Sequence, residues 1–301
     1  MNRLTLMSDL LRLIAALPLS WVHRLGAFFG WLLWRIPNNR SRRIAECNLA
    51  LCFPEQSVME RNRLLRQSLI EAGKGLLELG PLWFSGSERV LKLIREPAAS
   101  EEALAAAVAR KRGVLLITPH LGSWEMAGLY YSSRYPLTIL YRPSRLADFD
   151  ALSRRGRGRM GGRVVATDAQ GLRALRKALQ RGEVLGILPD QDIGGDDGEE
   201  IAGRLFAPFF GIAASTMTLV SRLARKTDAA VFLTWAERLP RGRGYVLHLR
   251  ALPEVAAAAT LTESVAALNW AVEAAIRTLP AQYLWAYRRF RTRPPGESRI
   301  Y

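Results

Sequence analysis

Cysteine and histidine are scarce in this chain of 301 residues, with two of the first and three of the second. Cys47 and Cys52 fall in one expected helix and the histidines are scattered, so no zinc constellation can be assembled and no metal is expected. The two thiols suit packing roles in a reducing cytoplasm. Long apolar runs are also missing. Residues 10–36 are apolar and tryptophan-rich but are broken by Arg12, Pro18 and the pair His23-Arg24. The uninterrupted runs are about ten residues, short of the roughly 20 that a simple spanning helix needs. No small-residue cleavage site follows, which argues against a secretory signal. Neither G-x-x-x-x-G-K-[ST] nor G-x-S-x-G occurs, so P-loop and serine-hydrolase readings lose their signatures. The run GRGRMG (156–161) has dinucleotide-site spacing, but it follows a helix-like stretch and precedes a strand. The required order is strand, loop, helix, and the dinucleotide reading fails.

What is present is core-forming content and positive charge. A hydrophobic fraction of 49% supports a large core, and a net charge of +16 calls for partners of opposite sign. Nucleic acid, an anionic membrane face and an acidic carrier protein all qualify. Residues 1–38 are expected to form a membrane-associated helical segment of two amphipathic pieces. Trp21, Trp31 and Trp34 would sit at headgroup depth, with Arg24, Arg35, Arg40, Arg42 and Arg43 toward anionic lipid. A single tilted span and a buried helical hairpin are the alternatives.

Residues 39–301 read as one α/β domain. Helical spacing runs over 40–112, and strands follow at 113–118, 137–142, 163–167, 184–190, 229–238 and 245–252. Helices are expected at 124–134, 168–181, 213–226 and 262–279. This alternation predicts a mostly parallel central sheet flanked by helices. The acidic, glycine-rich stretch 190–204 reads as a lid or an exposed turn.

His120 and Glu125, in GVLLITPHLGSWEMAG, are the leading catalytic pair. The strand ends at Pro119, Ser123 is a plausible N-cap, and Glu125 in the first helical turn would reach back to orient the imidazole. A strand end at a tight turn into a helix is where open α/β sheets place ligands and chemistry. Five arginines between positions 154 and 163 form either a solvated loop or a phosphate clamp. The aromatic residues that a nucleic-acid face interleaves with such charges are absent from this stretch.

Collinear motifs carry a resemblance over almost the whole chain: RRIAECNLALCFPE (42–55), TPHLGSWE (118–125), YRPSRLADFD (141–150), LPDQDIG (188–194), LFAPFFGIAASTMT (205–218) and QYLWAYRRFRTRPPGE (282–297). The chain resembles the lipid A late acyltransferases of Gram-negative bacteria, within the lysophospholipid acyltransferase superfamily. The resemblance implies a glycerolipid acyltransferase-like fold. It also implies transfer of a fatty acyl group from acyl carrier protein to a Kdo-bearing lipid A precursor, at the cytoplasmic face of the inner membrane. No cofactor beyond the acyl donor is implied.

In that frame His120 would be the general base and Glu125 its orienter, with the amides of Gly122 and Ser123 as oxyanion donors. Arg142 resembles the arginine of the superfamily's second motif and would hold a phosphate or the oxyanion. Arg157 or Arg159 would be a further site arginine. Asp190 and Asp192 match a family motif, in which Gln191 replaces a histidine found in some relatives. Phe209, Phe210 and Gly211 would pack the acyl channel or core, and Arg288, Arg289, Arg291 and Arg293 would face the carrier protein or the lipid. The same chemistry on a lysophospholipid, phosphatidylinositol mannoside or ornithine-type lipid is the nearest alternative. Nucleic-acid binding, supported only by charge, is a remote one.

Overall fold

The computed structural model describes residues 3–144, 146–192 and 203–301. Its strands are β1 (Ile94–Glu96), β2 (Val114–Ile117), β3 (Leu137–Tyr141), β4 (Arg163–Ala166), β5 (Val184–Ile187), β6 (Arg204–Phe209), β7 (Ile212–Met217), β8 (Ala230–Arg238) and β9 (Tyr245–Ala251). Seven form one sheet in the order β1-β9-β8-β2-β5-β3-β4, while β6 and β7 pair separately. Within the large sheet only the β8–β9 contact is antiparallel among the described residues. The chain is therefore α/β, with a mostly parallel sheet flanked by helices.

The apolar runs explain the central strands. In β2, Val114 and Leu116 enter one core and Leu115 and Ile117 the other, and all four are buried. A parallel strand covered on both faces reads as continuous apolar sequence for this reason. The helices Trp124–Arg134, Ala169–Gln180 and Leu261–Thr278 lie where the periodicity puts them. The stretch 190–204, expected as a lid or turn, lies outside the described residues from 193 to 202.

The helix expected over 213–226 is corrected: its first half is β7, and only Leu219–Lys226 is helical. A two-residue turn joins β6 to β7 with Phe210 at φ 52° and Gly211 at φ 75°, the mirror-image turn that suits a tight hairpin. Phenylalanine is a poor left-handed residue, so tertiary contacts hold it there. Its amide donates to Glu273 at 2.7 Å, and the Arg277 guanidinium lies 4.6 Å from its ring centroid.

At the N-terminal end, helices α1 (Arg3–Ala16) and α2 (Leu19–Arg35) precede α3 (Arg40–Cys52) and α4 (Val58–Leu77). One side of the first two helices joins the body: Leu11, Ile14 and Val22 share a core with Leu82 and Val114. Helix α2 meets α4 backbone to backbone through Gly26, Gly30 and Gly73. A Cβ on Gly30 would stand 2.2 Å from the Leu69 carbonyl oxygen. The other side is bare, with Leu13, Trp21, Phe28 and Phe29 at least half exposed. No helix among the described residues is long and apolar enough to cross a membrane. The charge that interrupts the apolar run is resolved differently for its two members. His23 is buried against Glu78 at 3.3 Å, whereas Arg24 lies over the exposed Trp21 ring.

Candidate active site

The connections from β2 and β5 leave in opposite directions. From β2 the chain passes through helix Trp124–Arg134 to β3 on one side, and from β5 it returns across β2 to β8 on the other. The crevice beyond two such strand ends is where open α/β sheets bind ligands. The register then makes a prediction of its own. Ile117 pairs with Ile187, and each strand continues for three residues through a proline, Thr118-Pro119-His120 on one and Leu188-Pro189-Asp190 on the other. Equal extensions of paired parallel strands bring His120 and Asp190 side by side.

They are bonded twice. The Asp190 Oδ1 lies 2.9 Å from His120 Nδ1, and Oδ2 accepts the His120 amide at 2.9 Å. Burial opposes ionisation of Asp190, but the charge of a protonated His120 and its two hydrogen bonds outweigh that and hold the carboxyl below its ordinary value. The Tyr283 phenol is pushed well above its own, by burial and then by the Asp190 charge. With Nδ1 held, Nε2 is the imidazole nitrogen left for chemistry, and His120 lines a cavity of about 170 Å³. An imidazole oriented in this way can take a proton from a hydroxyl and return it.

The Glu125 carboxylate is held by other partners, where the expectation paired it with His120. It accepts from Arg157, with Nε at 2.9 Å and Nη2 at 2.6 Å from Oε1, and from Trp83 Nε1 at 3.3 Å. The cause is the turn between them. Gly122 adopts φ +61° and its site is closed by the Ala236 carbonyl oxygen, 2.1 Å from where a Cβ would stand. Helix Trp124–Arg134 begins beyond this pinned turn, and its first turn presents Glu125 to the helix Ala147–Gly158 that carries Arg157. Burial works against the Arg157 charge, but Glu125 reverses this and raises its value. Both Glu125 and Arg157 line the cavity.

The two amides expected as oxyanion donors have backbone partners of their own. The Gly122 amide donates to the Gln282 carbonyl at 3.0 Å and the Ser123 amide to the Ala236 carbonyl at 2.8 Å. Both N–H groups are consumed by the fold, which clamps the turn onto β8 and the C-terminal segment.

The structure separates the two arginines that sequence left equivalent. Arg157 reaches the cavity, whereas Arg159 donates to the carbonyls of Leu82 (2.9 Å) and Ser85, bracing the helix Leu79–Phe84. Arg142 is exposed at the cavity rim, one residue past β3. Its loop is tied down by Asp150, which accepts the Tyr141 hydroxyl and the Ser144 amide. Gln191 is a lining residue, and Asp192 is not. Asp192 is buried, pairs with Arg204 at 2.9 Å and accepts the Thr292 amide at 3.2 Å, so it anchors the C-terminal segment.

Phe209 and Phe210 belong to the core. Arg289, expected at a partner surface, is buried and donates to the Ser215 carbonyl and the Thr216 hydroxyl, and Arg293 turns to the Ala213 carbonyl. Both stand in for a strand partner on the edge of β7 away from β6. Trp83 and Gln282 are the participants that sequence reasoning missed. Each acts across more than 40 residues of chain, and no local pattern marks them.

Residues 4–292 match the family model described as bacterial lipid A biosynthesis acyltransferase. The lipid A biosynthesis lauroyltransferase of Escherichia coli (strain K12) is 33% identical over 286 residues, covering 94% of this chain and 90% of that protein. The lipid A biosynthesis palmitoleoyltransferase of the same strain is 34% identical over 266 residues, covering 87% and 82%. A lipid A biosynthesis acyltransferase of Haemophilus influenzae is 29% identical over 94% of this chain and 88% of its own length. The match spans the His120–Asp190 crevice and both flanks of the sheet, and this chain belongs to the bacterial lipid A biosynthesis acyltransferase family.

Proposed function

We propose that this acyltransferase moves a secondary fatty acyl chain from an acyl carrier protein thioester to a hydroxyl of a Kdo-bearing lipid A precursor, working at the cytoplasmic face of the inner membrane. The observation that carries the reading is the doubly held imidazole at the mouth of an apolar cavity, with Arg142 at its rim. His120 Nε2 takes the proton of the acceptor hydroxyl as its oxygen attacks the thioester carbonyl carbon. Asp190 stabilises the imidazolium, as the buried carboxylate of a triad does. Collapse of the tetrahedral intermediate breaks the carbon–sulfur bond, and the imidazolium returns the proton to the departing thiolate. No covalent acyl-enzyme is needed.

With the Gly122 and Ser123 amides occupied, developing negative charge falls to side chains, and among the described residues the Arg142 and Arg157 guanidinium groups line the cavity. The glutamate that neutralises Arg157 makes Arg142 the stronger candidate for an acceptor phosphate or the oxyanion. The bare aromatic side of α1 and α2, with Arg24 and Arg35 stacked on Trp21 and Trp31, suits an anionic lipid surface. An acidic carrier protein suits the remaining basic surface.

Mass spectrometry of lipid A from cells lacking the gene, against cells restored with it, tests the acceptor. The expected result is one missing acyl mass that the wild type restores and the His120→Ala variant does not. An unchanged lipid A profile in cells without redundant acyltransferases would move the activity to another lipid.

A further inference from the structure

The cavity that His120 lines is bordered by two glycines, Gly128 and Gly186. Its floor is built from alternate residues of three strands in register, with Leu116 on β2, Gly186 on β5 and Ile139 on β3. Its roof is the helix Trp124–Arg134, which contributes Gly128 and Leu129. Leu137, the first residue of β3, marks the far end. β3 carries the wall from Leu137 to Tyr141, a run of about 13 Å at about 3.3 Å per residue. Charged groups stay near the mouth of this slot, and the deep walls are aliphatic.

Glycine is a costly residue both within a helix and within a central strand, so each position needs a reason. At Gly26 and Gly30 the reason is contact, because a Cβ would collide with the backbone of α4. That reason fails here. A Cβ on Gly128 would meet no atom within 4 Å, and one on Gly186 would have its nearest neighbour, Ile139 Cγ1, at an ordinary 3.5 Å. Neither residue has the positive φ that favours glycine. What both positions share is that they border the cavity.

We infer that Gly128 and Gly186 are specificity-determining residues that keep the slot open for the hydrocarbon tail of the acyl donor, and that side chains there would shorten the tail the enzyme accepts. The inference rests on the acyl transfer proposed above. It assigns the slot to the donor because the donor's tail is attached to the carbonyl that must reach His120.

The test is a competition among saturated acyl carrier protein thioesters of ten to sixteen carbons. The readout is kcat/KM for each donor with the wild type, Gly128→Ala, Gly128→Leu and Gly186→Ala. Gly128→Leu should lower the ratio of the longest accepted donor to the shortest by at least tenfold, with the alanine variants between it and the wild type. A uniform fall across all donors, or an unchanged preference, would overturn the assignment, including in favour of an acceptor tail in the slot. Should Gly128→Leu fail to fold by circular dichroism, the alanine variants decide by the same ratio. Failure of the underlying function reads differently, since the wild type would then transfer no acyl group from any donor and the inference would fall with it.

Discussion

Asp190 holds His120 at both ends of its carboxylate, one oxygen on the ring Nδ1 and the other on the backbone amide, each at 2.9 Å. The first bond fixes the tautomer and the second fixes the strand end that carries the ring. Neither can slip without the other, because both partners ride on paired parallel strands.

Replacing Asp190 by Asn keeps the shape but removes the charge that, in the proposed mechanism, stabilises the imidazolium. We expect kcat to fall by about 10²–10⁴, comparable to His120→Ala, while KM changes little. Steady-state kinetics on the folded variants would check this, and near-normal turnover by either one would remove the pair from the mechanism.

Arg157 and Arg159 should differ in kind. Arg157→Ala leaves the buried Glu125 carboxylate without its bidentate partner, which should cost about 3–5 kcal/mol and abolish activity. Arg159→Ala removes donors from two carbonyls and should cost about 1–3 kcal/mol with kcat/KM nearly kept. Thermal unfolding together with kinetics separates them, and equal losses of activity would contradict the placement.

The sheet was legible because its strands are apolar on both faces, as in Val114–Ile117, and the helix Trp124–Arg134 because Pro119 ends the strand before it, although Ser123 at its N-cap makes no side-chain capping bond. The hairpin at Phe210-Gly211 was not, since its turn uses a phenylalanine held by Glu273 and Arg277 from a distant helix. His120 was legible as a strand-end histidine, but its partner was read from sequence proximity. Asp190 was named from its motif, and the signal that would have paired it with His120 is the repeated ending, Thr-Pro-His and Leu-Pro-Asp, which becomes meaningful only once β2 and β5 are known to be neighbours. Arg157 and Arg159 stay equivalent until the packing of helix Ala147–Gly158 is known.

Glu78 should govern acid stability. It accepts two hydrogen bonds from the buried Arg238, at 2.8 and 2.7 Å, and one from Tyr245 at 3.0 Å, while Arg238 also reaches the Gly122 carbonyl. Burial alone would raise the Glu78 carboxyl, but Arg238 and His23 hold it well below the ordinary carboxylate range. A carboxylate with a depressed folded value contributes stability that is complete above its unfolded value, about 4.3, and drains as pH falls through the folded one. The wild type should therefore lose stability from about pH 5 downward. Glu78→Gln should start about 3–5 kcal/mol lower at neutral pH and show a shallower acid slope. Denaturant titrations across pH would reveal parallel slopes if Glu78 were not the linked group.

The bare side of α2 should bind lipid through rings and arginines together. Phe28 packs edge-on against Phe29 and stacks on Trp31, yet both phenylalanines remain half exposed, so they contribute little to the fold. Burying the exposed halves of the two rings in a lipid interface is worth roughly 2 kcal/mol. Replacing both with Glu also sets new negative charge against an anionic headgroup layer. The Phe28→Glu/Phe29→Glu variant should keep its melting temperature within a few degrees and lose more than tenfold in partitioning onto anionic vesicles. Raising the salt concentration should weaken wild-type binding in part, because screening removes the contribution of Arg24 and Arg35 and leaves that of the rings. Vesicle sedimentation gives both numbers. Partitioning that is indifferent to the double substitution would show that this side of α2 is not the surface that meets the membrane.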